Sequence, residues 1–158
     1  MKTVVFTGGS SLLAQSWIKQ NYPECYFILA LHQRKLEHSK HKTIYLNYDS
    51  VDLIAKELHA VKADIVINCI GLTSVESCEE YPELAKQINI EVASNIATAC
   101  LEMKIKLVHI STDHLFDGST AFADEKVSFS AINVYGKTKG EGEKAILGSN
   151  PNALIIRT

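Results

Sequence analysis

Ser111-Thr112-Asp113 and Tyr135-Gly136-Lys137-Thr138-Lys139 hold the residue types best suited to proton chemistry. Tyr135 and Lys139 are four positions apart, which on a helix places them one turn apart on the same face. An ammonium beside a phenol favours the phenolate. Such a pair can pass a proton to or from a carbonyl or alkoxide while a hydride moves at the other face. A hydroxyl at the end of the preceding apolar run, Thr112 or Ser111, would polarise the same oxygen. Tyrosine and lysine at this spacing are by themselves a common helix face. Following an STD sequence at the end of a strand, they become specific.

A second chemical feature is Thr7-Gly8-Gly9-Ser10-Ser11-Leu12-Leu13-Ala14, between a first apolar run and a first helical stretch. Glycines there let the backbone approach a pyrophosphate and aim helix N–H groups at it. Gly8 occupies the first position of a GxxGxxG pattern, but Ser11 and Ala14 stand at the second and third. The turn therefore reads as a nucleotide site or as a plain strand–helix turn. Farther on, Leu29-Ala30-Leu31-His32-Gln33-Arg34-Lys35 lacks the acid that would hold the ribose hydroxyls of NAD. Arg34 and Lys35 suit the 2′-phosphate of NADP; the alternative is a solvated basic loop. His38 and His41 have no further ligand nearby, so no metal is expected.

These residues need a scaffold, and the apolar pattern supplies one. Lys2–Thr7, Cys25–Leu31, Thr43–Leu46, Asp64–Cys69, Lys106–Ile110 and Leu154–Arg157 read as strands, mostly continuous apolar runs suited to burial on both faces. Ser11–Gln20, Val51–Val61, Pro82–Met103 and Val134–Leu147 read as helices. In the third, Leu84, Ile88, Val92, Ile96 and Cys100 recur every four residues and predict one apolar stripe. Pro82 fits its first turn. Alternation of this kind predicts an α/β doubly wound parallel sheet, a Rossmann fold of about six strands with helices on both faces. Asp113–Asn133 lacks periodicity and reads as a long functional loop.

Composition narrows the partners. Of 158 residues, 46% are hydrophobic and 22% charged, so the chain can bury a core. Sixteen basic against eighteen acidic residues give a net charge of −2, which argues against a nucleic-acid or anionic-lipid binder. No apolar run reaches the roughly 20 residues of a membrane span. The N-terminus enters a strand directly with no leader pattern, so a cytoplasmic location is expected. Cys25, Cys69, Cys78 and Cys100 show no paired spacing and are expected to be structural thiols.

Taken together, these segments resemble the extended short-chain dehydrogenase/reductases, and within them the dTDP-4-dehydrorhamnose reductase (RmlD-like) group. The resemblance runs through most of the chain, in Asp64–Glu76, Cys78-Glu79, Ala85, Asn89, Leu107–Gly118, Asn133–Lys139 with Gly142-Glu143, and Ala153–Thr158. The STDxxFDG and NVYGKTK segments carry most of its specificity. It implies an NADP- or NAD-dependent reductase of a nucleotide-sugar 4-keto group, with Tyr135 as proton donor, Lys139 holding the nicotinamide ribose and Thr112 completing the triad. It further implies that Gly8, Ser11, Leu12, Leu13, Arg34, Asn47, Tyr48, Cys69, Ile70, Gly71 and Asn89 face the dinucleotide. Thr73, Thr112 and Asp113 would face the sugar nucleotide, and a homodimer is admitted.

The departures are Ser11 and Ala14 in the glycine turn, Asn47 in place of Asp, Ala131 in place of Pro, and Gly140-Glu141 in place of an apolar-small pair. The resemblance further implies that residues 1–158 are the NAD(P)-binding Rossmann domain and that the family's smaller C-terminal substrate domain is absent from this chain, so the 158 residues alone are expected to be weakly active or inactive. Two other functions share these motifs. One is a non-catalytic regulatory homologue resembling the methionine adenosyltransferase regulatory subunit. The other is a nucleotide-sugar epimerase or dehydratase.

Overall fold

Six apolar runs become six parallel strands in a computed structural model, which describes residues 1–20, 22–32, 36, 40–119, 121 and 123–158. The strands are β1 (Lys2–Thr7), β2 (Cys25–Leu31), β3 (Lys42–Tyr45), β4 (Ile65–Asn68), β5 (Lys106–Ile110) and β6 (Leu154–Ile156). They form one sheet of order β3-β2-β1-β4-β5-β6. The strand order reverses between β1 and β4, the crevice where doubly wound sheets bind ligands. The expected Rossmann architecture is therefore observed. Strand ends differ from expectation by a residue or so; β3 begins at Lys42 because its ladder pairs Ile28 with Lys42.

Alternation along each strand divides the core in two. Val5, Ile28, Val66 and Leu107 face α2 (Val51–Ala60), α5 (Ala93–Glu102) and α6 (Val134–Ser149), packing on Ile54, Leu58, Ile96, Cys100 and Ile146. Val4, Phe6, Phe27, Leu29 and Ile67 face the opposite way, onto Ala14 and Trp17 of α1 (Leu12–Trp17). Burying each large aliphatic side chain contributes about 1.5–3 kcal/mol. Among the described residues no helix is long and apolar enough to cross a membrane.

The long helix expected over Pro82–Met103 is broken into three. A separate α3 (Val75–Glu80), not anticipated from the sequence, is capped by Ser74, whose Oγ accepts from the Ser77 amide at 3.1 Å. Tyr81, held out of the helical region ahead of Pro82, divides it from α4 (Pro82–Lys86). A π turn then runs over Gln87–Val92 before α5. Its wider turn shifts the inward face, so the predicted stripe fails at its start. Leu84 is 43% exposed and Ile88 and Val92 are half-buried, whereas Ala85, Asn89 and Ala93 are buried. Polar bonding sets this register: Asn89 Oδ1 accepts from the Leu72 amide at 2.8 Å, and Asn89 Nδ2 donates to Thr138 Oγ1 at 3.0 Å.

Helix α6 lies against this turn through Gly142, where a Cβ would collide with the Asn89 carbonyl oxygen. Alanine in a helix interior ordinarily gains about 1 kcal/mol over glycine. Here the sign reverses, because backbone meets backbone. Gly142→Ala is expected to lose about 2–3 kcal/mol of stability, read from urea unfolding; overpacking is the cause. A stabilised variant would show that the two helices can slide apart.

Candidate active site

Asn133 starts α6 by accepting the Gly136 amide proton on Oδ1 at 2.7 Å, and the Val134 amide donates to Glu79 of α3 at 2.8 Å. This double tether fixes the first turn, and with it Tyr135. The Tyr135 ring is 8% exposed, packs near Cys78 and Ala85, and meets the His114 ring edge-on at 5.5 Å. One turn on, Lys139 is 3% exposed. Its Nζ donates to the Ile110 carbonyl oxygen at 2.8 Å and lies 3.2 Å from His109 Nε2. Burial lowers the Lys139 pKa to about 8, against the pull of Glu143. The expected common face of Tyr135 and Lys139 is thus present, turned inward toward the sheet edge.

Glu143, a further turn along and buried, is neutralised from outside. Arg157 grips it with Nη2–Oε2 at 2.8 Å and Nε–Oε1 at 3.1 Å. The guanidinium also lies over Phe129 and Phe116, at 5.2 and 5.7 Å from the ring centres. The loop after β5 is thereby tied to α6. A cavity of about 960 Å³ opens beside it, lined by residues that include Asp113, Phe116, Ile132 and Arg157.

Thr112, two residues past the end of β5, caps a 3₁₀ turn over Asp113–Leu115, its Oγ1 accepting from the His114 amide at 3.2 Å. Asp113 is exposed, and its amide donates to the Thr158 carbonyl at 3.0 Å. Ser111 Oγ is buried without a hydrogen-bond partner. Of the two hydroxyls expected to polarise a substrate oxygen, Thr112 already serves the local turn and Ser111 serves nothing.

The glycine turn sits across the edge of β4. Gly8 has φ +66°, and a Cβ there would come within 3.0 Å of the Cys69 carbonyl carbon and oxygen. Ser11 caps α1 by accepting from the Ala14 amide at 3.3 Å, and faces the Cys69 thiol, which burial pushes up to about 11. Leu12 is exposed and Leu13 partly so. Ile70 donates its amide to Asn68 Oδ1 at 3.0 Å. Gly71 forms a cradle that a side chain would fill: a Cβ there would lie 3.3 Å from Asn89 Oδ1, 3.6 Å from Thr73 Cγ2 and 3.9 Å from Lys139 Nζ. Gly8, Ser11, Cys69, Ile70, Gly71, Thr73, Asn89 and Lys139 thus come together at the carboxyl ends of β1 and β4.

Asn47 and Tyr48 behave differently from each other. Asn47 is exposed and accepts the Asp49 amide proton. Tyr48 is a core residue whose hydroxyl is buried toward Gly8 with its pKa raised by burial, and its ring meets His32 edge-on at 5.9 Å. Arg34, with Lys35, Glu37 and His38, lies outside the described residues. All four cysteines are free.

Sequence reasoning missed a polar row beneath the site. Thr7, Asn68 and His109 are register partners on β1, β4 and β5, and all three are buried. The available signal was a lone polar residue near the carboxyl end of each apolar strand. A buried polar group there needs a partner, and the neighbouring strands supply it.

The profile of the RmlD substrate binding domain family matches residues 1–158. The dTDP-4-dehydrorhamnose reductase of Mycolicibacterium smegmatis is 31% identical over 98% of this chain and 44% of its own length. The methionine adenosyltransferase 2 subunit beta of Bos taurus is 26% identical over 99% of this chain and 46% of its own. The structure of a Bacillus anthracis dTDP-4-dehydrorhamnose reductase in complex with NADP superimposes with a TM-score of 0.81 at 26% identity, covering 99% of this chain and 53% of that one. The chain spans less than half the length of these two curated relatives. Profile, strand order and the STD and YxxxK segments agree, and the chain belongs to the RmlD-like family of extended short-chain dehydrogenase/reductases.

Proposed function

We propose that this chain is the dinucleotide-binding domain of an NAD(P)H-dependent reductase acting on the 4-keto group of a nucleotide sugar. The observation that carries the reading is the position of Lys139: buried, one turn from Tyr135, with Nζ held beside the Gly71 cradle, 3.9 Å from where a Cβ on Gly71 would lie. Cradle and turn suit a dinucleotide, since both are places where a side chain would obstruct a flat or phosphorylated ligand. Gly8, Ser11, Leu12 and Leu13 would hold the pyrophosphate, Asn47 and Tyr48 would flank the adenine end, and Cys69, Ile70, Gly71 and Asn89 would line the nicotinamide side. When bound, the nicotinamide supplies the hydride. Tyr135 delivers the proton to the substrate oxygen, Lys139 orients the ribose, and Thr112 holds the substrate oxygen. Asp113 and Thr73, both exposed, would meet the sugar nucleotide.

The remaining pocket wall would come from a substrate domain following this one, so the complete activity belongs to the two together. Holding a keto carbon within about 3–3.5 Å of a hydride donor needs both walls. A non-catalytic binding role would not need Thr112, Tyr135 and Lys139 together, and their joint presence favours the reductase. Calorimetric titration of the 158-residue chain with NADPH and NADH tests the assignment. Binding of at least one in the micromolar range is expected, with NADPH tighter. Absence of heat with both at millimolar concentration would overturn it.

A further inference from the structure

The polar row under the site has a direction, and it ends on Lys139. Thr7 Oγ1 donates to Asn68 Oδ1 at 2.7 Å, Asn68 Nδ2 lies 3.0 Å from His109 Nδ1, and His109 Nε2 lies 3.2 Å from Lys139 Nζ. The Ile70 amide has only a proton to offer, and offers it to Asn68 Oδ1 at 3.0 Å. The carboxamide oxygen therefore sits on the Ile70 and Thr7 side, and its NH₂ faces the imidazole. His109 Nδ1 must accept, which leaves the one proton of the neutral ring on Nε2. That proton points at Lys139. An ammonium has no lone pair to receive it; an amine has one, and keeps two hydrogens, one of which serves the Ile110 carbonyl oxygen at 2.8 Å. A doubly protonated His109 would oppose donors at both ends, and burial indeed lowers its pKa to about 3. Each contact along the row pairs a donor with an acceptor when Lys139 is uncharged.

We infer that His109 is a positioning residue that latches the uncharged Lys139 amine at the β5 edge, and that protonation of this amine opens the latch and frees Nζ toward the Gly71 cradle. Among the described residues the groups facing Nζ are few. On α6 they are Tyr135 and Glu143, the latter already paired with Arg157. On β5 it is His109, and beyond the end of β4 it is the Cys69 thiol, kept protonated by burial. The carboxylate favours the ammonium and burial opposes it, which sets the balance at about 8. The latch is therefore mostly open at neutral pH and shuts above that value.

Nitrogen-15 NMR on the chain labelled at histidine and lysine reads the latch without any cofactor. At alkaline pH His109 is expected as the Nε2–H tautomer, with Lys139 titrating well below the exposed lysines. In His109→Gln the amide can turn its oxygen to Nζ and accept from an ammonium, so the Lys139 midpoint should rise by about one pH unit, a tenfold change in acidity. Asn68→Asp, nearly isosteric, accepts from Nδ1–H and should reverse the His109 tautomer. An Nδ1–H tautomer in the parent, or a Lys139 midpoint unmoved by both variants, would overturn the latch.

A second arm rests on the dinucleotide reading. NADH has no group titrating between neutral pH and about 10, and its Kd should rise about tenfold per pH unit above the Lys139 midpoint. In His109→Gln that break should move to higher pH, which a merely structural histidine would not cause. Failure of NADH to bind at any pH would count against the dinucleotide reading alone, the NMR result deciding the latch.

Discussion

Tyr135→Phe, made in a form of the protein that carries the complete substrate pocket, is expected to lower kcat by about 10²–10⁴-fold, the usual contribution of a positioned general acid. Cofactor affinity should stay within about twofold of the parent, well under the 1.4 kcal/mol that a tenfold change represents. The separation follows from what the ring does. It packs near Cys78 and Ala85 and against the edge of His114 at 5.5 Å, contacts that phenylalanine keeps. The Asn133 cap and the Glu79 tether at the start of α6 involve backbone amides and are also untouched. Only the hydroxyl and its proton are lost. Steady-state reduction of a dTDP-4-keto sugar, followed by loss of NADPH absorbance, gives kcat, and calorimetry gives Kd. Equal turnover by parent and variant would refute the role given to Tyr135.

Lys139→Met is expected to remove turnover and weaken dinucleotide binding while making the fold more stable at neutral pH. Burial shifts the lysine from 10.5 to about 8, so at pH 7 the folded state carries an ammonium it would rather not hold. One pKa unit corresponds to about 1.4 kcal/mol, which bounds the penalty at about 3 kcal/mol. Methionine escapes it but leaves the Ile110 carbonyl without its partner, a loss of about 1–3 kcal/mol. A net gain of about 1 kcal/mol at pH 7 is the expected balance of these two effects. Between the folded and unfolded pKa values the unfolded chain binds more protons, so the parent gains stability as pH rises from about 8 to 10.5. Methionine has no such gain. The stability difference between variant and parent should therefore change sign across that interval. Urea unfolding of both proteins at pH 7 and near pH 10 measures it, and a difference independent of pH would show that Lys139 is not strained by burial.

The amino-acid sequence by itself determined the parallel sheet. Runs such as Val4-Val5-Phe6 and Ile65-Val66-Ile67 are apolar on both faces, and their alternation with helical stretches suits a parallel sheet covered by helices on each side. It also determined that Tyr135 and Lys139 share a helix face, because four residues make one turn whatever lies around them. The inward face of the Pro82–Met103 segment was out of its reach. The apolar period named Leu84, Ile88 and Val92, yet the π turn rotates Asn89 inward instead. That rotation is set by Leu72 and Thr138, which lie 17 and 49 residues away and come near only once β4 and α6 are packed. The row Thr7–Asn68–His109 is of the same kind. Each residue alone is a polar interruption of an apolar strand, and only strand register makes them neighbours. Local periodicity records how a segment repeats, whereas the protonation of Lys139 depends on which strands end beside it, and that was decided by the tertiary structure alone.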